Sequence, residues 1–562
     1  MRIFFLLCLL VTGWGCQATP ANTNPSSSQP VVLNSAEVAA LDGQRAAFLS
    51  APKLADRLER LLDLEQQALQ LAVDEPLKLG SIGSAILDAY PGSQTGHFAM
   101  SQFYAHVESL EAKASHDAEL ERLQAYMRVD GADGSIRAPY KVLTIYDAQT
   151  FSRTNGAEPV GSIYQIPELS AFRLLLISKP EDSGLISTHF DLSHVLKAFS
   201  AAEADADQDD GAVPPTAGAH NPWQLLQLLA ARMDSAAQTA IGRYLIQREK
   251  YQEAISWLQV ASRSGNVLAN ASLARIYLLQ AEASENAAEQ QEYRELAMEN
   301  HLHAIAMGST EAMYTLANLY INDYYGEENR SAAIPLLRQA GDLGHAESLL
   351  YLGYLYNAGR EVDRDVSRAA EYFARAAALN NPQAILSYGR FLSGLEGVAA
   401  DGNDANHQIH QRLRDLAAAD EPEAMVILGN LHARGIATAA SNREALRWYK
   451  RAVRAAPNNA DIVNEVAWTL TVSDITGLQR AKYAKRIMDN LMNGDATARI
   501  QPEYLDTWAA AHAASGDFER AIALQEQAIQ QATSQEREDV LDILQGHLEL
   551  FKAGATITEK AP

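Results

Sequence analysis

Apolar residues recur at helical spacing in five short segments that resemble one another: NASLARIYL (270–278), AMYTLANLY (312–320), SLLYLGYLY (348–356), AILSYGRFL (384–392) and AMVILGNLH (424–432). In each, a small residue follows a large apolar one, at Ala274, Ala317, Gly353, Gly389 and Gly429, with steps of 43, 36, 36 and 40 residues. A second helical pattern lies between them, marked by alanines seven apart: Ala254/Ala261, Ala297/Ala304, Ala333/Ala340, Ala370/Ala377, Ala445/Ala452 and Ala521/Ala528. Three residues past the first alanine of each stand Trp257, Asn300, Leu336, Phe373, Trp448 and Leu524. Positions i, i+3 and i+7 share one helix face. The pattern predicts helix pairs in which two small residues admit a neighbouring helix and a large residue fills the space beside them. One pair cannot bury its apolar face alone, so the pairs are expected to stack into an α-solenoid.

The N-terminal half reads differently. Residues 35–128 are helical in pattern, as in PKLADRLERLLDLEQQALQLA (52–72). After VDGADGSIRAP (129–139) the period changes, and KVLTIY (141–146), VGSIYQI (160–166) and FRLLLIS (172–178) read as strands. With the helical DLSHVLKAFSAA (191–202) they predict a small α+β module over 139–202, inserted before the repeats. An acidic, proline-containing linker (203–222) leads to the solenoid at 223–535, and a C-terminal helix and tail occupy 536–562.

Residues 347–384, ESLLYLGYLYNAGREVDRDVSRAAEYFARAAALNNPQA, resemble the Sel-one-like repeat through Leu352, Gly353, Tyr356, Gly359, Val362, Asp365, Ala369, Tyr372, Ala376 and Ala377. Residues 312–345 and 384–420 follow it less closely, and 400–410 carries an insertion. VNEVAWTLTVSD (463–474) and EYLDTWAAAHAASGDFERAIALQEQAI (503–529) resemble tetratricopeptide repeats, and 35–128 resembles a degenerate form of them. The resemblance spans about residues 236–535. It implies a mainly α fold and an interaction scaffold, while leaving the role open.

The first residues add an address. Arg2 precedes the nine-residue apolar run Ile3 to Val11, too short to cross a bilayer as a helix. Residues 1–15 read as a signal peptide. Removing it takes Cys8 with it and leaves Cys16 as the sole cysteine. Gly15 before Cys16 resembles a bacterial lipobox, although Gly13 and Trp14 depart from its pattern. The resemblance implies lipidation at Cys16, with Gln17 implying sorting to the outer membrane, on the side facing the periplasm. The Pro/Ser/Asn-rich stretch within 16–34 then reads as a lipid-linked flexible tether.

Charge narrows the partners. With 70 acidic and 46 basic residues the chain carries a net charge of −24, which opposes binding to nucleic acid phosphates. The expected partners are envelope proteins, with membrane contact through the N-terminal lipid only. No motif calls for a cofactor: HExxH, a Walker loop, GxSxG and GxGxxG after a strand are all missing from the sequence. DADQDDG (205–211) puts Asp210 where a calcium loop needs glycine. His189, Asp191 and His194 are the one cluster with metal-ligand chemistry, set against a reading as ordinary surface residues. HLH (301–303) and HQIH (407–410) read as structural.

Two functions follow. One is a non-catalytic outer-membrane lipoprotein scaffold for protein–protein interaction, assisting polysaccharide export or envelope assembly. The other is a periplasmic enzyme or ligand sensor built on the 139–202 module, with the repeats as recruitment arm. The motif survey favours the scaffold.

Overall fold

The computed structural model describes residues 31–168, 170–181, 183–209, 222–394 and 404–559. The signal segment, Cys16, residues 210–221 of the expected linker and residues 400–403 of the insertion lie outside them. The fold is mainly α: stacked helix pairs preceded by one small sheet. The chain falls into two compact units that divide between Leu343 and Gly344.

The first unit opens with α1 (Ser35–Ser50), α2 (Leu54–Asp74), α3 (Leu79–Ala89), α4 (Gln94–His106) and α5 (Leu110–Met127). Then come β1 (Tyr140–Lys141), α6 (Ile145–Thr154), β2 (Ala157–Gln165), β3 (Arg173–Pro180), β4 (Ile186–Asp191) and α7 (Ser193–Asp209). Helix α8 (Pro222–Ala231) leads to the pairs α9/α10 (Ser235–Gln247, Tyr251–Arg263), α11/α12 (Val267–Ala283, Ala287–Ala306) and α13/α14 (Thr310–Ile321, Ala333–Asp342).

The second unit continues with α15/α16 (Ala346–Ala358, Val366–Ala378), α17/α18 (Pro382–Gly394, Asp404–Ala418) and α19/α20 (Pro422–Arg434, Asn442–Ala455). The pairs α21/α22 (Ala460–Val472, Ala481–Gly494) and α23/α24 (Pro502–Ala514, Phe518–Ser534) follow, and α25 (Glu538–Lys552) closes the unit.

Within a pair, a large side chain of the second helix sits against a small residue of the first. A Cβ built on Gly353 would lie 2.8 Å from the Phe373 ring, and one on Gly242 2.6 Å from Leu258. One on Gly389 would lie 3.0 Å from Leu413, and one on Gly429 would run into the Tyr449 ring. Ala274 and Ala317 occupy the same place in their pairs and are fully buried. The alanines seven apart are buried as expected at Ala254, Ala261, Ala297, Ala304, Ala333, Ala340, Ala445, Ala452, Ala521 and Ala528.

Two details of the expected pattern change. In α16 the tight pair is Ala369 and Ala376; Ala370 is only half-buried, whereas Ala377 is buried. The large residue that enters the pair stands four places past the first alanine, not three: Leu258, His301, Leu337, Phe373, Tyr449 and Gln525 are all buried. Trp257 and Trp448 remain partly exposed, although Asn300 and Leu524 are buried as well. The register shift in α16 makes Phe373 fit the same rule, counted from Ala369.

The turns that end α10, α12, α14, α16 and α18 use the left-handed region. Gly265, Gly308, Gly344, Asn380 and Asp420 have φ of 77°, 93°, 89°, 58° and 63°. They recur with the same steps as the repeat segments. Glycine, asparagine and aspartate tolerate this conformation best.

The sheet runs in the order β1-β4-β3-β2, with β1 parallel to β4 and the other neighbours antiparallel. The predicted strand 141–146 is cut to two residues, Tyr140 and Lys141. Thr144 turns the chain instead, its hydroxyl accepting from the Asp147 N–H at the start of α6. Strand β4 was not foreseen, and α7 runs through 203–209, where linker was expected.

The sheet does not stand apart from the helices around it. Leu174, Leu176 and Phe190 share one core with Leu58 and Leu61 of α2, Leu225 of α8, Ile241 of α9 and Leu258 of α10. Ile163, Leu175 and Ile177 pack with Val267, Leu268, Ala304 and Ala312 of the repeats. Both faces are covered, which explains why FRLLLIS is a continuous apolar run rather than an alternating one.

At Ser162 the outer edge of β2 is covered by one side chain. Buried Asn266 donates from Nδ2 to the Ser162 carbonyl at 2.7 Å and accepts from the Ser162 N–H at 3.3 Å. The same Oδ1 caps α11 through the Leu268 N–H. Asp234, the cap of α9, likewise accepts from the Tyr164 hydroxyl on β2 at 3.0 Å.

Two measurements check this packing in the full chain. Gly429→Ala is expected to destabilise by about 1–3 kcal/mol through overpacking against Tyr449. Gly546→Ala, at an open helix position in α25, is expected to stabilise by roughly 0.5–1 kcal/mol. Urea unfolding should give opposite signs; equal shifts would remove the packing role assigned to Gly429. Asn266→Ala strands both polar groups of Ser162 and is expected to cost about 2–4 kcal/mol, read by the same method.

Candidate functional site

The repeat residues singled out from the sequence are packing groups. Ala274, Ala317, Gly353, Gly389, Gly429, Ala333, Ala340, Ala377, Ala445 and Ala452 are turned inward and present no chemistry to a ligand. The three metal candidates are not assembled into a centre. Asp191 accepts from the Ser193 N–H at 2.9 Å, at the start of α7. His194 is half-buried, and its desolvation, reinforced by the charge of Arg45, pulls its ring down to about 4. His189 is pulled down for the same first reason, with Arg173 as the neighbouring charge. Among the described residues no group of three or more His, Cys, Asp or Glu side chains is placed to hold a metal ion.

The other histidine motifs lie in the repeats. His301 fills the inward position of α12 and burial lowers it to about 4. His410 stacks edge-on against His432 with ring centres 5.3 Å apart.

A pair of buried carboxylates was not foreseen. Glu65 of α2 and Asp147 of α6 are almost inaccessible. The Ser93 hydroxyl lies 2.6 Å from Glu65 and 3.3 Å from Asp147, Thr144 donates to Glu65 at 2.6 Å, and the Thr95 N–H donates to Asp147 at 3.1 Å. Burial, followed by the charge of Asp147, raises Glu65 well above its ordinary value, and burial pushes Asp147 up to about 6. Perturbed acids often mark active sites. Here hydroxyls and helix amides enclose the oxygens, so the pair ties α2, α4 and α6 together. Its only sequence trace is the hydroxyl-rich setting of SQT (93–95) and LTIYD (143–147).

The accessible feature in the second unit is a groove on one face of α21, α23 and α25. Its volume is about 290 Å³. Asn464 and Trp468, four apart on α21, form one wall; Thr507 stands on α23; Val540, Ile543 and Leu544 form the α25 wall. Ile543 is 58% exposed, and among the described residues the Asn464 Oδ1 has no hydrogen-bond partner. Apolar walls with a few polar groups are the usual make-up of a binding cleft.

The C-terminal tail closes one end of this region. The Glu559 N–H donates to the Val472 carbonyl at 2.8 Å, and the Glu559 carbonyl accepts from the Asp474 N–H at 2.9 Å. The Glu559 carboxylate accepts from Trp468 Nε1 at 3.2 Å and lies 3.9 Å from His547 Nε2. His547 Nδ1 is 2.9 Å from buried Asp506, which also accepts from Gln525 Nε2 at 2.7 Å. Burial opposes a charged His547 ring, but the hydrogen bond and charge of Asp506, with the charge of Glu559, outweigh it and raise the ring above its ordinary value.

A ring with a raised folded value stabilises the fold below its unfolded value of about 6.5. That stability is lost as pH rises through the folded value. The difference in urea midpoint between parent and His547→Gln is therefore expected to be greatest below about pH 6.5 and to shrink at higher pH. A difference independent of pH would remove this charged link.

The Sel1 repeat family model matches residues 235–266, 310–345, 346–381 and 422–456, so these segments are similar to Sel1 repeats. The matches fall on the pairs α9/α10, α13/α14, α15/α16 and α19/α20. The search of curated proteins found no match. Among solved structures, the chain is similar to a Sel1 repeat protein from Oxalobacter formigenes, at 19% identity and TM-score 0.38 over 54% of this chain and 83% of that one. It is also similar to a protective antigen of uropathogenic Escherichia coli strains displaying an SLR fold, at 14% identity and TM-score 0.32 over 86% of this chain and 97% of that one. A thermophilic TPR protein of Thermus thermophilus is similar at 18% identity and TM-score 0.27, over 37% of this chain and 99% of that one.

Proposed function

We propose that this chain is a non-catalytic scaffold of the bacterial envelope that holds a protein partner on its repeats. The observation that carries the reading is the groove of α21, α23 and α25, with exposed Ile543, the edge of Trp468 and the apolar wall of α25. An extended peptide segment suits it, its apolar side chains meeting the α25 wall and the edge of Trp468. Sel1 repeats are consistent with such an interaction role.

The finer assignment is an outer-membrane lipoprotein anchored through Cys16 and facing the periplasm, serving polysaccharide export or envelope assembly. It is supported by the apolar run Ile3 to Val11, Gly15 before Cys16 and the polar tract that follows. Among the described residues no helix is long and apolar enough to cross a membrane. Several acyl chains on Cys16, at about 0.8 kcal/mol per buried CH2, would anchor the chain firmly.

Two experiments test the two levels. Cys16→Ser is expected to move the protein from the membrane to the soluble fraction; a variant as firmly bound as the parent places the anchor elsewhere. Crosslinking in envelope fractions, followed by capture, is expected to recover a protein with the parent and to lose it with Trp468→Ala/Ile543→Asp. A partner retained by that double variant would move the interaction off this groove.

A further inference from the structure

The first unit holds a second cleft, of different chemistry from the repeat groove. It lies where α2, α6 and the turns bounding α9 and α10 meet, with a volume of about 530 Å³. That is the size of small-ligand clefts, which run roughly 300–1,000 Å³. Gln66 and Gln70, one turn apart on α2, face it together with Gln149 of α6. Among the described residues none of these three amides has a hydrogen-bond partner. The Ser235 and Ser264 hydroxyls stand at its rim, and the half-buried Tyr146 contributes apolar surface.

The charged groups at the cleft already hold partners. Arg153 uses Nε and Nη2 on the Glu158 carboxylate, at 2.9–3.2 Å. Asp234 is buried and accepts from the Ala236 and Ala237 N–H groups and from the Tyr164 hydroxyl. What remains for a ligand is neutral: amides that both donate and accept, the Ser235 and Ser264 hydroxyls, each already in one hydrogen bond, to Asn266 and Val260, and an apolar floor.

We infer that this cleft binds a neutral saccharide. Sugar hydroxyls donate and accept at once, as side-chain amides do, so each glutamine can pair with them in either sense. The C–H face of a sugar ring suits Tyr146 and the neighbouring Leu69, Ile145 and Met233 surface. A phosphate or carboxylate ligand would need an uncommitted cation, and an ammonium ligand a free carboxylate. An extended peptide is better matched to the apolar groove of the last repeats than to this cleft. The two sites share no residue, so either can fail without the other.

The test uses the full chain with maltotriose, cellotriose and triacetylchitotriose as neutral probes, trigalacturonate as the anionic probe and a neutral Ala/Ser/Gly hexapeptide. Saturation-transfer NMR and calorimetry read the binding. At least one neutral trisaccharide is expected to bind, and Gln66→Ala/Gln149→Ala to weaken it at least tenfold with an unchanged unfolding midpoint. Should that double variant fail to fold, Gln70→Ala, at an exposed position, is expected to weaken the same ligand severalfold. The inference is overturned if none of the three neutral probes binds, if the variants bind like the parent, or if trigalacturonate or the peptide binds more tightly.

Discussion

The helix pairs depend on one steric fit: a large side chain of the second helix seated against a residue of the first that has little or no side chain. Phe373 on Gly353, Leu258 on Gly242 and Tyr449 on Gly429 are three instances. A glycine inside a helix costs about 1 kcal/mol relative to alanine, so its use there must be offset. The offset is close packing of the two helices and burial of an aromatic or leucine side chain. At Tyr449 the fit is also directional, because its hydroxyl donates to Asn430 at 2.8 Å. The flanking alanines keep the rest of the contact flat enough for the helices to close.

The residues that start the repeat helices connect the repeats to the sheet. Asn266 and Asp234 each satisfy the open N–H groups of a helix and also reach β2. A capping group is fixed in position by the helix it caps, so it offers the strand a partner at low entropic cost. This makes the sheet part of the first unit's core and leaves Gln66, Gln149 and Ser235 around a cleft that no single element would form.

The two clefts differ in what they present. The groove in the second unit is walled by valine, isoleucine and leucine of α25, with Trp468 opposite. Glu503 and Asp506 also line it, held by Arg537 and His547, and the Asp506–His547–Glu559 series joins α23, α25 and the tail. In the first unit the charged groups at the cleft are likewise paired off, and neutral amides are left facing it.

Much of this was legible in the sequence, because helix periodicity and small-residue spacing are local. The repeat steps, the helix pairs, the buried alanines and strands β2 and β3 all follow from patterns within a few turns or one strand. The position of the inward large residue did not follow. At about 100° per residue, i+3 and i+4 lie on either side of the i/i+7 line by about 50° each, and only the neighbouring helix decides between Trp448 and Tyr449. Strand β4 was hidden because ISTHFD becomes a strand through pairing with β3 and β1. The Glu65–Asp147 pair, 82 residues apart, and the three open glutamines carry no local signature. Sequence by itself determined the repeat and its helix pairs, since each depends on residues close in the chain; tertiary structure decided strand β4 and which polar groups were consumed in packing and which were left open, since these depend on residues far apart.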